Sequence, residues 1–233
     1  MTAAMAEITV PDPDELLLSW PKLRTPTQVN RSSWTGRRKV IGLPGTELWT
    51  GAFAIGDIAT EEEEQPWRAF LFGLGGPANW FRWPLPCNEH AGAKPTVDTG
   101  AGNAYSLPLT GMQVSTLIAK AGQYMTIPLP SGHKRAVCLM ADLLTDSSGD
   151  ATAQFRPALN EVPVAGVTVE TKYPYIPMSP VEDELGLSGA EGVSGAEFEV
   201  EEAFGAALVG DTPDYTIPTF DDDSGDFTFD MDN

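Results

Sequence analysis

The sequence predicts a mainly β protein with one short helix, and three observations carry that expectation. Twenty prolines and 23 glycines among 233 residues interrupt long helices and suit short strands joined by turns. Apolar and aromatic runs of strand length recur about every ten residues between turn signals. Helical periodicity is confined to one segment.

The elements follow in order. Residues 1–19 read as an N-terminal arm ending in a short apolar piece, Leu16, Leu17 and Leu18. From 20 to 58 the pattern is strand and turn, with a turn at Leu43-Pro44-Gly45-Thr46 and a glycine-bounded apolar run from 48 to 55 that favours a strand. In residues 61–74, Glu61 to Glu64 place negative charge where a helix N-terminus favours it, and Pro66 is tolerable in a first turn. Trp67, Phe70, Leu71 and Leu74 recur at i, i+3, i+4, i+7, one face of a helix that Gly75-Gly76 ends. That face is expected to pack on a sheet. A strand stopped by Pro84 follows, then a loop-rich stretch over 86–104.

Short strands return at 113–118, 124–129, 135–141, 152–156 and 167–171, which suits a small barrel or sandwich. Residues 186–196 are rich in Gly, Ser and Ala and read as a flexible link. Residues 198–201 alternate as one more strand, and 205–233 form an acidic, aromatic-spiked tail.

Charge divides the chain more sharply than hydropathy does. The net charge is −19, and every Lys and Arg lies at or before Lys172. Residues 1–172 carry a net of −3, and residues 173–233 carry −16 with no base at all. Such an acidic segment stays solvated or docks on a basic surface. An acidic surface repels phosphate backbones, so sequence-specific nucleic-acid binding is not expected. No apolar run approaches the roughly 20 residues of a membrane helix, and no basic segment precedes Leu16 to mark a signal peptide. Two cysteines do not make a disulfide scaffold.

Chemistry-bearing patterns are sparse. Cys87 and His90 form C-x2-H, and His133 and Cys138 form H-x4-C; together they could close a tetrahedral metal site, but the spacing is loose, and no cofactor or metal is expected. No serine sits in G-x-S-x-G, Gly73 to Gly76 lacks the G-K-[ST] of a phosphate loop, and the acids Asp221 to Asp226 lack the glycine and terminal Glu of a calcium loop. No catalytic residue is assigned, and the chain is read as no enzyme; a hydrolase using paired carboxylates remains an alternative. Trp67, Trp80, Phe81 and Trp83 suit a core. If exposed, Trp80 and Trp83 would share a strand face and could stack on a sugar.

Two blocks carry a family resemblance. One runs Arg31-Ser32-Ser33-Trp34-Thr35-Gly36-Arg37-Arg38, then Pro44-Gly45-Thr46-Glu47-Leu48-Trp49, then an acidic helix start and Trp67-Arg68-Ala69-Phe70-Leu71. The other runs Lys120-Ala121-Gly122-Gln123-Tyr124-Met125-Thr126-Ile127, then Asp142 through Thr152, then Arg156-Pro157-Ala158-Leu159. In that order they resemble the distal tail proteins of long-tailed bacteriophages and gene transfer agents, over about 30 to 175, with 197–204 similar to the family's closing strand. The tryptophan-rich segment after Trp67 and residues 205–233 depart from the pattern.

The resemblance implies a β-sandwich ring domain (20–85 plus 176–204) with an inserted small OB-like β-barrel domain (86–175). It implies a structural virion protein of the tail tip or baseplate, a homo-hexameric ring assembled in the host cytoplasm. The ring would join the tail tube protein to the hub and host-adsorption proteins, with no membrane insertion. A carbohydrate-binding β-module for host-surface attachment is the alternative. A ring of identical subunits needs a head-to-tail contact between two different surfaces. The basic cluster Arg31, Arg37, Arg38 and Lys39, with Trp34, is one candidate face. An acidic patch on the next subunit, or the tail acids from Asp221, Asp222 and Asp223 to Asp232, is its candidate partner; a solvated hairpin is the plain alternative.

Overall fold

The computed structural model describes residues 5–11, 16–18, 20–31, 33–42, 46–99, 102–190 and 193–204. Within them the chain is mainly β, with one α-helix, antiparallel sheets and a barrel-like part, in line with the fold class read from the sequence. Sixteen strands follow in chain order: β1 (Leu16–Leu18), β2 (Lys22–Arg24), β3 (Thr27–Arg31), β4 (Arg38–Gly42), β5 (Leu48–Ile58), β6 (Phe81–Pro84), β7 (Thr96–Val97), β8 (Ser106–Thr110), β9 (Leu117–Ala119), β10 (Tyr124–Pro128), β11 (Lys134–Leu139), β12 (Leu143–Leu144), β13 (Ala151–Arg156), β14 (Tyr175–Pro180), β15 (Ser188–Ala190) and β16 (Val193–Glu202).

Helix α1 (Glu61–Leu74) forms where its local signals agree. The Thr60 hydroxyl accepts from Glu63 N at 3.3 Å while the Glu63 carboxylate accepts from Thr60 N at 3.3 Å, a closed capping box. Gly75, at φ +59, ends the helix in the left-handed region. Because the helix starts at Glu61, Pro66 lies in the second turn rather than the first, and the Glu62 carbonyl receives no amide bond from it. Trp67, Phe70, Leu71 and Leu74 are buried.

The larger sheet runs β1-β5-β16-β14-β6, with β2 also on β5 and β15 on β16. Trp49, Phe53 and Ile55 share one face of β5 by the two-residue period, and all are buried. Phe53 stacks on Phe198 at 4.7 Å and meets Phe70, Trp67 and Phe81. On the same face, Trp49 Nε1 donates to Ala136 O at 2.8 Å, and its ring meets Tyr124 edge-on at 6.0 Å. The helix and the barrel therefore cover one face of the sheet side by side. Gly51, between them, leaves room for Trp83: a Cβ there would lie 2.8 Å from the indole.

The smaller sheet runs β10-β11-β13-β8-β7. Residues 166–170 close it on itself. Gly166 N and Val169 N donate to Val97 O and Pro95 O, while Glu170 and Thr126 exchange amide bonds at 2.8 and 2.9 Å. Inside lie Leu107, Leu109, Met125, Ile127, Val137 and Phe155, each at most 1% exposed. On β11 the side chains divide by parity: Val137 and Leu139 enter the barrel, and Ala136 and Cys138 face the sheet.

The structure alters the sequence reading at several points: of the strand read at 113–118 only Leu117–Ala119 forms, 167–171 contributes isolated bridges rather than a strand, and Ser106–Thr110 is a strand that the reading did not include. Residues 188–190 pair with 193–195 as a hairpin, so most of the stretch read as a link is strand. The described part of the arm is held: Ile8 N donates to Trp80 O, Trp80 N to Ala6 O, and Glu7 pairs with Arg82 at 2.5 Å. Trp80 and Trp83 are 5% and 1% exposed, and Trp83 shares its face with Phe81 rather than Trp80, because residues three apart fall on opposite sides of a strand. The proposed sugar-stacking platform is therefore absent.

Candidate assembly interface

The chain from Lys22 to Thr50 is a two-stranded ribbon built in two stages. β2 pairs with the start of β5, Lys22 opposite Thr50 and Arg24 opposite Leu48. The ladder lapses at Thr25 and Pro26, which has no N–H to give, and resumes as β3 and β4, Thr27 opposite Gly42 and Arg31 opposite Arg38. The second stage belongs to neither sheet. Its tip is a turn in which Arg37 N donates to Thr35 Oγ1 at 3.5 Å and Gly36 takes φ +67.

The tip exposes what a folded chain normally hides or neutralises. Trp34 is 95% exposed. Arg31, Arg37 and Arg38 are exposed, and two of them face each other across the ladder, where like charges repel. The pattern extends to every arginine. Outside the ribbon, Arg68 meets Glu64, Arg82 meets Glu7, Arg135 meets Glu202 and Arg156 meets Glu47. On the ribbon, Arg24, Arg31, Arg37 and Arg38 have no carboxylate within ion-pair distance among the described residues. Lys39 is placed on β4 by its backbone; Asp221, Asp222 and Asp223 lie outside the described residues.

The metal candidates are dispersed. Cys87 is exposed, and His90 Nε2 lies 2.8 Å from Thr171 Oγ1. Cys138 is half-buried at the sheet–barrel junction, where burial pushes its thiol up. His133 belongs to a different cluster. Among the described residues no three His, Cys, Asp or Glu side chains gather as a metal site.

That other cluster escaped the sequence reading. Arg135, fully buried, reaches the Glu202 carboxylate through Nη1 and Glu47 O through Nη2 at 2.7 Å. Glu202 also accepts from Trp49 N and lies 3.2 Å from His133 Nε2. Glu47 accepts from Ala158 N at 2.8 Å and from Arg156. Phe204 caps the group, stacked on His133 at 4.9 Å with the Arg135 guanidinium 5.2 Å from its ring. These residues tie the ribbon base, the barrel and the last strand into one junction. One signal pointed to it: Glu202 continues the inward series Ala196, Phe198, Val200 on β16.

A shallow cleft of about 180 Å³ lies between residues 102–104 and 159–163; its one carboxylate, Glu161, accepts from Ser131 N at 2.9 Å. Among known proteins, the chain matches no family model and no curated sequence.

Proposed function

We propose that the chain is a structural protein of a phage tail tip, whose copies close a ring, most simply of six, between the tail tube and the hub and adsorption proteins. The resemblance of the Arg31–Arg38 and Lys120–Ile127 blocks supports this reading. One structural observation carries it: a bare basic ribbon with an exposed indole stands off the sheet that anchors it. A two-stranded hairpin is marginal alone in water, so such a ribbon gains its support from a second surface. In a head-to-tail ring that surface belongs to the next copy. The exposed carboxylates Glu197 and Glu199 on β16 suit a lumen that DNA passes without adhering. The role is geometric, and the site of action is the virion tail tip.

The test is the assembly state of the purified full chain, read by sedimentation and negative-stain images at low and high salt. Ring particles with sixfold views are expected, dispersed by Arg37→Glu with Arg38→Glu. A single 25.0 kDa species at high concentration in both salts overturns the reading.

A further inference from the structure

We infer that the basic ribbon tip is covered, in the free subunit, by the same chain's own acidic C-terminal segment, residues 205–233. The proposal stands apart from the ring reading and holds for a protein of any assembly state.

The charges are complementary. Residues 205–233 contain eight Asp and no base. The tip carries Arg31, Arg37 and Arg38, exposed and without a described carboxylate partner, although every arginine outside the ribbon has one. Guanidinium forks suit carboxylates, and the exposed Trp34 offers an apolar surface to Phe220, adjacent in sequence to Asp221, Asp222 and Asp223.

The geometry favours the chain's own segment over a neighbour's. Phe204, the last described residue, lies against Arg135, which donates to Glu47 O. Glu47 immediately precedes β5, the strand that anchors the ribbon. Phe204, after which the acidic segment begins, therefore lies at the base of the ribbon whose tip that segment would cover. Ten residues separate Glu47 from Arg37, so the tip is at most about 35 Å away. Seventeen residues separate Phe204 from Asp221, a reach of up to about 55 Å. A tether that spans its target gives an effective concentration on the order of millimolar, above that of a free subunit in solution. Screening limits exposed charge pairs to about 8 Å at physiological salt, so contact is required and salt loosens it.

The experiment uses a mixture of ordinary and 15N-labelled full chains and a carbodiimide that couples lysine to carboxylate. Lys39 is expected to link to Asp221, Asp222 or Asp223 within chains of one isotope, with the yield falling in high salt and in Arg31→Glu/Arg37→Glu/Arg38→Glu. In parallel, Asp221→Asn/Asp222→Asn/Asp223→Asn is expected to speed tryptic cleavage after Arg37 and Arg38 several-fold while leaving the melting temperature unchanged. Mixed-isotope links overturn the proposal in favour of an exchange between copies. Absence of Lys39 links to this segment, or cleavage indifferent to the Asn variant, overturns it outright. A missing ring leaves the isotope result unaffected, so the two readings fail separately.

Discussion

Arg135 and Arg37 carry the same guanidinium in opposite circumstances. Arg135 is fully buried, held by Glu202 and by the Glu47 carbonyl. Arg37 is exposed at a ribbon tip with no described carboxylate near it. Trp83, 1% exposed with its ring against Gly51 of the same sheet, and Trp34, 95% exposed, repeat the contrast. Residue type alone assigns neither role. The body pairs each of its four arginines and buries Trp67, Trp80 and Trp83, whereas the ribbon tip leaves Arg31, Trp34, Arg37 and Arg38 exposed. That difference separates positions where substitution unfolds the protein from positions where it disturbs contacts beyond the body.

The largest expected effect tests this division directly. Arg135→Leu removes one partner of a buried pair and leaves the Glu202 carboxylate without its cation, a cost of about 3–5 kcal/mol. Arg37→Leu is expected within about 0.5 kcal/mol of the native chain. Urea unfolding of both variants reads the difference. Equal costs would erase the contrast. Partial recovery in Arg135→Leu with Glu202→Leu would sharpen it, since the loss then arises from an uncompensated charge rather than from lost packing.

What could be read from the chain follows the range of each signal. Helix α1 was legible because the acidic start Glu61 to Glu64, the apolar face and Gly75 lie within 15 residues and act locally. The barrel strands β10, β11 and β13 were legible from strand-length runs spaced by turn signals. The exposed basic tip was visible as a cluster of bases. The buried junction was not, because Arg135 meets partners 67 and 88 positions away, and no local pattern encodes that meeting. The hairpin over 188–195 was misread as a link because it is paired through its backbone, with small side chains that give no pattern. Residues 166–170 close the barrel by isolated bridges, a tertiary outcome of where β7 and β10 come to lie.

Two glycines extend the comparison at a smaller magnitude. Gly51→Ala drives a methyl against Trp83 at 2.8 Å inside the packed sheet, an overpacking cost of about 1–3 kcal/mol. Gly36→Ala meets nothing within 4 Å, and its cost of about 1 kcal/mol comes from φ +67 alone. The two origins separate by second-site rescue. Trp83→Phe should recover part of the loss at Gly51, measured against Trp83→Phe alone, and none of the loss at Gly36. Recovery at both sites would mean that the ribbon and the sheet core are coupled.

The smallest expected effect is the dependence on acid, and it too falls on the body. Burial alone would raise the Glu170 carboxyl, but the Lys94 ammonium and the N–H groups of Tyr173 and Lys172 outweigh it and hold the group below the ordinary carboxylate range. Backbone N–H groups of Asp150, Ser148 and Gly149 hold Asp146 low, and Ser131 does the same for Glu161. A carboxyl depressed in the folded state contributes its stability in full above its unfolded value, about 4.3 for Glu, and loses it as pH falls through the folded value. Glu170→Gln should therefore lower the melting temperature most near neutrality, and the gap to the native chain should close as the solution is acidified. The ribbon from Lys22 to Thr50 contains Glu47 as its one acid, and a guanidinium as a chemical group does not give up its proton in proteins. Arg37→Leu should therefore track the native chain at every pH. A gap for Glu170→Gln that widens in acid would show that Lys94 and the two amides do not hold that carboxyl in its charged form.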